Sequence, residues 1–536
     1  MSKYIFVTGG VVSGIGKGII AASVGNILTN LGYSVSIMKC DPYLNMDPGT
    51  MNPKQHGEVF VTDDGGETDL DLGHYERFIN TPVSKINNIT TGQAYNSVML
   101  RERDGYYKGS TVQIIPHITD EIKRRIYSCA DQSNCDYLIV EVGGTIGDLE
   151  SQPFMESLHQ IQVEQDENDT CYIHVSYIPY LDNTGELKTK PTQHSCKELR
   201  SLGINPDILV ARSKDCLDNE VIRKLSKYCY FQEDYVIPCP NADSLYRIPY
   251  YLINNGLLNA LKDKLSITRT NYDDSFNSKS HEFSYINNNR DNYPVLRIAI
   301  VGKYASLEDS YLSIKESLLH ASVPTECVLD IVFVDTTSEY FDCDVKSYDA
   351  IVIPGGFGES GTAGILELLE QAFYEKVPVL GICYGMQLMC IFLAEQLLGL
   401  QDCSSTEINP CCQNPIIDIL PEKKDLPIGG TLRLGSYPTI LREDTLLKRI
   451  YGSSLIYERH RHRYEFNNSY RGLFSKSDKV FISGLSPDNK LVESIEVDYF
   501  THPFFIGVQY HPEFKSTLLN PHPLFISLLQ HTLNQI

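Results

Sequence analysis

Two short stretches of this sequence set residue types at spacings that suit chemistry. The first is Thr8-Gly9-Gly10-Val11-Val12-Ser13-Gly14-Ile15-Gly16-Lys17-Gly18. Glycines let backbone N–H groups approach a phosphate, a following helix N-terminus adds positive potential, and Lys17 can reach a β- or γ-phosphate. It is not a regular Walker A loop, because Gly18 stands where that motif carries the Mg²⁺-binding Ser or Thr. A metal must then be held by carboxylates elsewhere, and two are available. Asp71 lies in Glu67-Thr68-Asp69-Leu70-Asp71-Leu72-Gly73, and Glu141 sits at the end of the apolar run Tyr137 to Val142. The second stretch is Gly381-Ile382-Cys383-Tyr384-Gly385, a nucleophile elbow with Cys in place of Ser, following an apolar strand and preceding a helix. A helix N-terminus stabilises thiolate. The base that a thiol nucleophile needs is supplied by His511, with Glu513 two residues on to orient and polarise it. Gly355-Gly356-Phe357-Gly358 offers backbone N–H donors for an oxyanion.

Other stretches have weaker signals when taken singly. Gly143-Gly144-Thr145-Ile146-Gly147-Asp148-Leu149-Glu150 is a second glycine-rich turn carrying two acids. Lys188-Thr189-Lys190-Pro191 can clamp a triphosphate with the proline fixing the backbone, although a lone KTK is usually a solvated face.

The elements that must position these residues read as two α/β series. Tyr4 to Thr8, Val35 to Lys39 and Tyr137 to Val142 are expected as buried parallel strands, with a helix over Lys17 to Leu31. A polar stretch around 268–292, rich in Asn, Ser and Asp and without a period, is the expected linker. A second series starts at Leu296 to Val301 and continues with Asp349 to Pro354, Val377 to Ile382 and Phe504 to Tyr510. The expected architecture is therefore α/β in two domains, each a mostly parallel sheet covered by helices. The boundaries are 1–266, a linker 267–294, and 295–536.

Composition narrows the classes. The 536 residues carry 46 Lys plus Arg against 68 Asp plus Glu, a formal net charge of −22, which disfavours nonspecific binding to nucleic acid or an anionic membrane. The 15 cysteines have no metal-framework spacing and read as reduced thiols of a cytoplasmic protein, most of those other than Cys383 serving packing. The N-terminus runs directly into a strand, with no signal-peptide pattern expected. The most apolar run, Val377 to Ala394, contains Gly381, Gly385 and Gln387 and reads as a buried strand-turn-helix, not a membrane span.

Taken together, these residues resemble the CTP synthase family, from Tyr4 to about Phe525. Long stretches carry the likeness: VTGGVVSGIGKG at 7–18, the 39–78 run from KCDPYLNMDPG to GHYERF, VEVGGTIGDLES at 140–151 and KTKPTQHS at 188–195. The GICYGMQ elbow, ERHRHRYEFNN at 458–468 and the final HPEF add to it. GGFG, the Cys elbow and HPE alone would indicate only a class I glutamine amidotransferase.

The resemblance implies a P-loop-like amidoligase domain followed by a class I glutaminase domain. It implies ATP-dependent amination of UTP to CTP through a 4-phosphorylated UTP intermediate, with ammonia from L-glutamine and feedback inhibition by CTP, as the last step of de novo CTP synthesis. By position, Gly14, Ile15, Gly16, Lys17, Gly18, Ile19, Lys39 and Asp71 would serve ATP, with Asn241 and Ala242 near adenine. Asp71 and Glu141 would hold Mg²⁺. Ser13, Asp148, Leu149, Glu150, Lys188, Lys190, Gln193 and Lys224 would bind UTP or CTP. Cys383, His511 and Glu513 would form the triad, and Gly356, Tyr384, Gln387, Glu407 and Arg463 would position glutamine. Pro53, His56 and Val59 match the constriction through which ammonia passes, and the RHRHR run is expected to be a folded strand-loop supplying Arg463. Family members form homotetramers that can stack into filaments.

Two departures stand out. Tyr384 replaces the Leu usual after the nucleophile, a change its backbone N–H tolerates. Ser360 and Ala363 stand where the family carries an Arg and a Glu tied to allosteric activation by GTP, which puts that response in question. The rival readings are another ATP-dependent amidotransferase with a different acceptor, opposed by KTKPTQHS and GGTIGDLE, and an inactive filament-forming homologue, opposed by the intact Lys17, Asp71, Glu141, Cys383, His511 and Glu513.

Overall fold

Strand Lys3–Gly10 lies in the middle of a seven-stranded sheet in which every neighbouring pair is parallel. The computed structural model describes residues 2–338, 341, 344–419 and 432–535. Across this sheet the order is Val236–Pro240, Ile208–Ser213, Thr170–Tyr177, Lys3–Gly10, Tyr137–Val142, Val35–Asp41 and Asn88–Thr90. From the central strand the chain adds strands first on one side and later on the other. The loop after Gly10 therefore sits at the reversal of strand order, where open α/β sheets bind ligands. Five of the strands carry near-continuous buried runs, as a sheet covered on both faces requires. Helix Lys17–Asn30 is buried along nearly its whole length, and its small residues allow this. A Cβ on Gly25 would come within 2.8 Å of Ile79 and 2.9 Å of Ile37.

The second sheet has nine strands. Val328–Asp335, Val295–Gly302, Ala350–Ile353, Val379–Ile382 and Phe505–Val508 run parallel, and Val492–Val497, Val480–Leu485, Arg433–Leu441 and Leu455–His462 extend it antiparallel. The thiol elbow follows a strand of the parallel half, and the antiparallel half ends on the strand that carries Arg459 to His462 of the RHRHR run.

The chain divides into two compact units, residues 1–47 with 71–281 and residues 48–70 with 282–536. The segment 48–70, although early in sequence, thus belongs to the second unit. The stretch expected as a linker without a period contains helix Ser275–Asn288, a difference with a simple cause. Three apolar side chains, Phe276, Phe283 and Ile286, are buried from an otherwise polar helix, too few to produce a visible period. Phe276 packs against Phe78 at 5.5 Å and Tyr246 at 6.1 Å between ring centroids. The run Val377 to Ala394 folds as strand Val379–Ile382 and the start of helix Tyr384–Gln396, and among the described residues no helix is long and apolar enough to cross a membrane.

Candidate active sites

In the first unit, the loop between strand Lys3–Gly10 and helix Lys17–Asn30 bends through left-handed backbone at Gly14 (φ 71°) and Gly16 (φ 87°), which glycine adopts without a Cβ clash. Ser13 and Gly14 are exposed at its tip, and Lys17 is buried at the helix start. The Lys17 ammonium donates to the Gly144 carbonyl at 2.6 Å, and the Ile146 N–H donates to Gly9 at 2.8 Å. These bonds join the phosphate loop to the second glycine-rich turn. Burial lowers the Lys17 pKa, with the Glu141 carboxylate opposing.

Lys39, at the C-terminal end of its strand, donates to both Asp71 and Glu141, the latter at 3.1 Å. The Tyr75 hydroxyl donates to the other Glu141 oxygen. Burial pushes the Asp71 carboxyl up, but the charge and hydrogen bond of Lys39, with His74 and Lys17, together outweigh it and hold it below the usual range. Glu141 is fully buried, and there burial prevails over Lys39 and raises it. Two cations and two carboxylates thus neutralise one another beneath the loop. Gly18 has a direct reason: a Cβ there would lie 2.2 Å from Asp71 Oδ1. The carboxylate takes the place that a Walker-type hydroxyl side chain would need.

The remaining predicted residues of this half lie at the same strand edge. Asp148 Oδ2 accepts from the Thr145 N–H at 2.6 Å and its hydroxyl at 2.7 Å, leaving Leu149 and Glu150 exposed beside it. Lys188 pairs with Glu186, which also feels Lys224 on helix Asn219–Cys229, so the two lysines share one acid. Lys190 begins helix Lys190–Ser201, where Gln193 donates to Thr189 at 3.0 Å. Ser195 on that helix fills the space a Gly10 side chain would take, its Oγ 1.6 Å from an ideal Cβ. His174 bridges Thr8 at 3.0 Å and Ser195 at 2.7 Å, and burial holds its pKa down at about 3. That relay has no motif of its own. Asn241 and Ala242 follow the edge strand Val236–Pro240, three strands from the phosphate loop. Arg212 holds the Asn241 side chain at 3.2 Å.

In the second unit, Cys383 adopts φ 53° and ψ −101° between strand Val379–Ile382 and helix Tyr384–Gln396, a strained turn for a residue with a side chain. Its flanking glycines are obligatory. A Cβ on Gly381 would lie 2.2 Å from Met389 Sδ, and one on Gly385 would lie 2.2 Å from the Ile353 carbonyl oxygen. The Cys383 N–H donates to Val508 at 2.7 Å, tying the elbow to the strand that leads to the histidine. His511 Nδ1 lies 2.7 Å from Glu513 Oε1, and its buried Nε2, on the side of Cys383, meets no hydrogen-bond geometry among the described residues. Burial opposes an imidazolium here, but the Glu513 and Cys383 charges prevail and raise His511 to about 10. Gly355 lies between the His511 and Cys383 side chains: its ideal Cβ would lie 2.8 Å from His511 Cε1 and 3.8 Å from Cys383 Cβ.

The predicted glutamine residues cluster around this elbow. Gln387 donates to the Tyr464 carbonyl at 2.8 Å. Glu407 accepts the Gly358 N–H at 2.8 Å. Burial raises its pKa, while Lys303 and Arg463 favour its charged form. Tyr384 does more than lend its N–H. Its ring lies 4.6 Å under the Lys303 ammonium, and its hydroxyl donates to the Gly358 carbonyl at 2.9 Å and lies 2.6 Å from Thr362 Oγ1. Lys303, missed in the sequence, donates to the Phe357 carbonyl and, at 2.6 Å, to the Gly358 carbonyl. Burial lowers its pKa to about 8. Gly356, beside Lys303 Cε at 3.3 Å from an ideal Cβ, lies within this braced loop. The available signal for Lys303 was its place just after strand Val295–Gly302, a C-terminal edge like that of Lys39.

A cavity of about 70 Å³ opens beside Cys383 and His511, and Pro53 and Val59 line it, as do Tyr304 and Phe514. His56 ends the short helix Pro53–His56, is exposed, and lies outside that lining. The RHRHR run lies in strand Leu455–His462 except for Arg463, which follows it, and none of its five residues is exposed, so it forms no exposed basic patch. Ser360 and Ala363 are both exposed around the start of helix Thr362–Glu375.

Comparison with known proteins covers both units. A model of the CTP synthase N-terminus matches residues 3–267, and one of the class I glutamine amidotransferases matches 306–531. A CTP synthase of Synechococcus sp. (strain WH7803) is 49% identical over 534 residues, covering 99% of this chain and 97% of the relative. One of Prochlorococcus marinus (strain NATL1A) is 49% identical over 534 residues, covering 99% and 95%. The solved glutaminase domain of Trypanosoma brucei CTPS with bound acivicin is 30% identical, covering 45% of this chain and 94% of its own, with a TM-score of 0.41. On the two matched models and the near full-length identity, the chain belongs to the CTP synthase family.

Proposed function

We infer that the two sites act in sequence within one reaction. As a member of its family, the chain aminates UTP to CTP, using ATP and ammonia released from glutamine. The observation that carries the reading is the presence, in one chain, of a buried Lys17–Lys39–Asp71–Glu141 set beneath a phosphate loop and of a strained Cys383 beside an ion-paired His511.

In the glutaminase half, Cys383 Sγ attacks the amide carbon. The oxyanion is held by backbone N–H groups of the elbow and the GGFG loop, whose carbonyls Lys303 and Tyr384 already engage. The His511 imidazolium gives its proton to the departing ammonia, then takes one from the water that cleaves the thioester to glutamate. Glu407 and Arg463 provide the acid and the base that the α-ammonium and α-carboxylate of an amino acid require.

In the amidoligase half, the γ-phosphoryl of ATP passes to O4 of the uracil ring. Ammonia then adds at C4 and phosphate leaves, giving CTP and ADP. Phosphoryl transfer depends on positioning and charge neutralisation, which Lys17 and the loop N–H groups supply. Asp71 and Glu141 fit Mg²⁺, since both converge on one cation and a hard divalent ion takes its remaining ligands from phosphate and water. Mg²⁺ held there would neutralise charge on the phosphates. Lys188, Lys190, Gln193 and Lys224 serve the pyrimidine triphosphate, and Asn241 and Ala242 the adenine. Asp148, Leu149 and Glu150 serve the site where CTP inhibits.

We assign the amidoligase to 1–266 and the glutaminase to 295–536, and propose a cytoplasmic homotetramer. GTP activation is the open element of specificity. Introducing Ser360→Arg with Ala363→Glu should increase the GTP response of glutamine-dependent CTP formation, and no change would detach those positions from it. The function itself is tested by CTP formation from UTP, ATP and Mg²⁺ with glutamine or ammonium as nitrogen source. Both should support it, and only the glutamine reaction should fail in Cys383→Ala. CTP from neither source, in a folded protein that hydrolyses glutamine, would mean another acceptor.

A further inference from the structure

The RHRHR strand does more than deliver Arg463. Its backbone touches the triad while two of its side chains grip the segment 48–70. The Arg459 carbonyl accepts the His511 N–H at 2.8 Å, and the Arg461 carbonyl lies 3.7 Å from Cys383 Sγ. On the side-chain side, the fully buried Arg459 donates to Asp63 Oδ1 at 2.8 Å and to the Phe514 carbonyl at 3.1 Å, with its guanidinium 5.3 Å from the Phe60 ring centre. Arg461 donates to Glu67 Oε1 at 2.8 Å and to the Gly49 carbonyl at 2.9 Å.

These contacts bracket the hairpin Phe60–Val61 and Glu67–Thr68, which directly continues the chain from the cavity-lining Val59. The hairpin fits against its base so closely that side chains are excluded. An ideal Cβ on Gly435 would lie 2.8 Å from the Asp63 carbonyl oxygen, and one on Gly65 2.9 Å from that of Leu434. Upstream, Glu58 accepts from the Ser313 N–H at 3.1 Å and the Ser310 hydroxyl donates to the Pro53 carbonyl at 3.0 Å.

Planar guanidinium–carboxylate contacts fix orientation as well as distance. One strand therefore sets both the thiol site and the wall that faces it. We propose that Arg459 and Arg461, through Asp63 and Glu67, are positioning residues that hold the Pro53–Val59 wall against the thiol site, so that ammonia released there is retained for CTP formation and does not escape to solvent. This rests on the reading of Pro53, His56 and Val59 as the ammonia route.

The test is the ratio of glutamate released to CTP formed, which loss of fold alone does not move, together with ammonium-supported CTP formation. Asp63→Asn/Glu67→Gln should raise the ratio at least threefold while ammonium-supported kcat stays within twofold. Glu67→Gln alone, which leaves the buried Arg459 pair intact, should raise it by a smaller factor. An unchanged ratio in both variants overturns the proposal, whether or not total activity falls. Val59→Phe separates the two layers of the argument. A raised ratio in Val59→Phe without one in the clamp variants rejects the clamp, and an unchanged ratio in Val59→Phe rejects the route on which it rests.

Discussion

The two sites are built in opposite ways. In the phosphate site the glycines make room for side chains: a Cβ on Gly9 would meet Lys17 Cδ at 2.5 Å, and one on Gly18 would meet Asp71 Oδ1 at 2.2 Å. In the thiol site Gly355 and Gly381 also make room for side chains, but Gly385 makes room for backbone, against the Ile353 carbonyl. The first site is a cluster of mutually neutralised, largely buried charges. The second is a fixed, strained turn. Charge clusters can rearrange around an incoming nucleotide, whereas a nucleophile must already point at its carbonyl.

The sharpest break between the two is functional. Cys383→Ala should reduce glutamine-supported CTP formation by on the order of 10³-fold and leave the ammonium-supported rate within about twofold. Glu141→Gln should reduce both by on the order of 10²-fold. Loss of only the glutamine reaction in Glu141→Gln would contradict the division.

Next comes stability. Gly385→Ala must displace backbone and should cost roughly 3 kcal/mol, read as a lowered Tm. Gly18→Ala displaces only the end of a carboxylate. It should leave Tm within a degree or two and instead raise the KM for ATP about tenfold. Equal Tm losses would erase the contrast between the two kinds of glycine.

Smaller effects follow from titration. His511, raised to about 10 by Glu513 and Cys383 against burial, contributes stability that is fully present below about pH 6.5 and lost as pH rises through about 10. Glu513→Gln should move the alkaline limb of glutaminase activity at least one pH unit lower, with ammonium-supported activity unmoved. His174, held down at about 3 by burial, behaves in the opposite sense. Its contribution is present above about pH 6.5 and is lost as pH falls towards 3, about 2 kcal/mol by pH 5. Denaturant unfolding at pH 7 and pH 5 measures it, and His174→Gln should flatten the difference.

Legibility in the sequence followed the same divide. The elbow, the HPE turn and the phosphate loop are contiguous, so the residues that shape them are adjacent and readable. Buried parallel strands such as Tyr137–Val142 are equally plain, because both faces need apolar residues. What could not be read depends on contacts remote in sequence. Lys303 acts through carbonyls more than 50 residues away. The 48–70 segment joins the second unit through Asp63 and Glu67, acids that differ in no local way from their neighbours Asp64 and Asp69. Helix Ser275–Asn288 hid because its buried face is three apolar residues among polar ones. RHRHR reads as a folded strand-loop against its basic composition, and Arg459 within it is charged and yet wholly buried.

The central claim is that nitrogen released at Cys383 becomes the exocyclic amine of CTP. It is tested most directly with [amide-¹⁵N]glutamine, UTP, ATP and Mg²⁺ in the presence of unlabelled ammonium, reading ¹⁵N in the product by mass spectrometry. The account predicts CTP labelled mostly from glutamine in the wild-type chain and wholly unlabelled CTP from Cys383→Ala. Glutamine hydrolysed with no CTP formed, or unlabelled CTP from the wild-type chain, would contradict it.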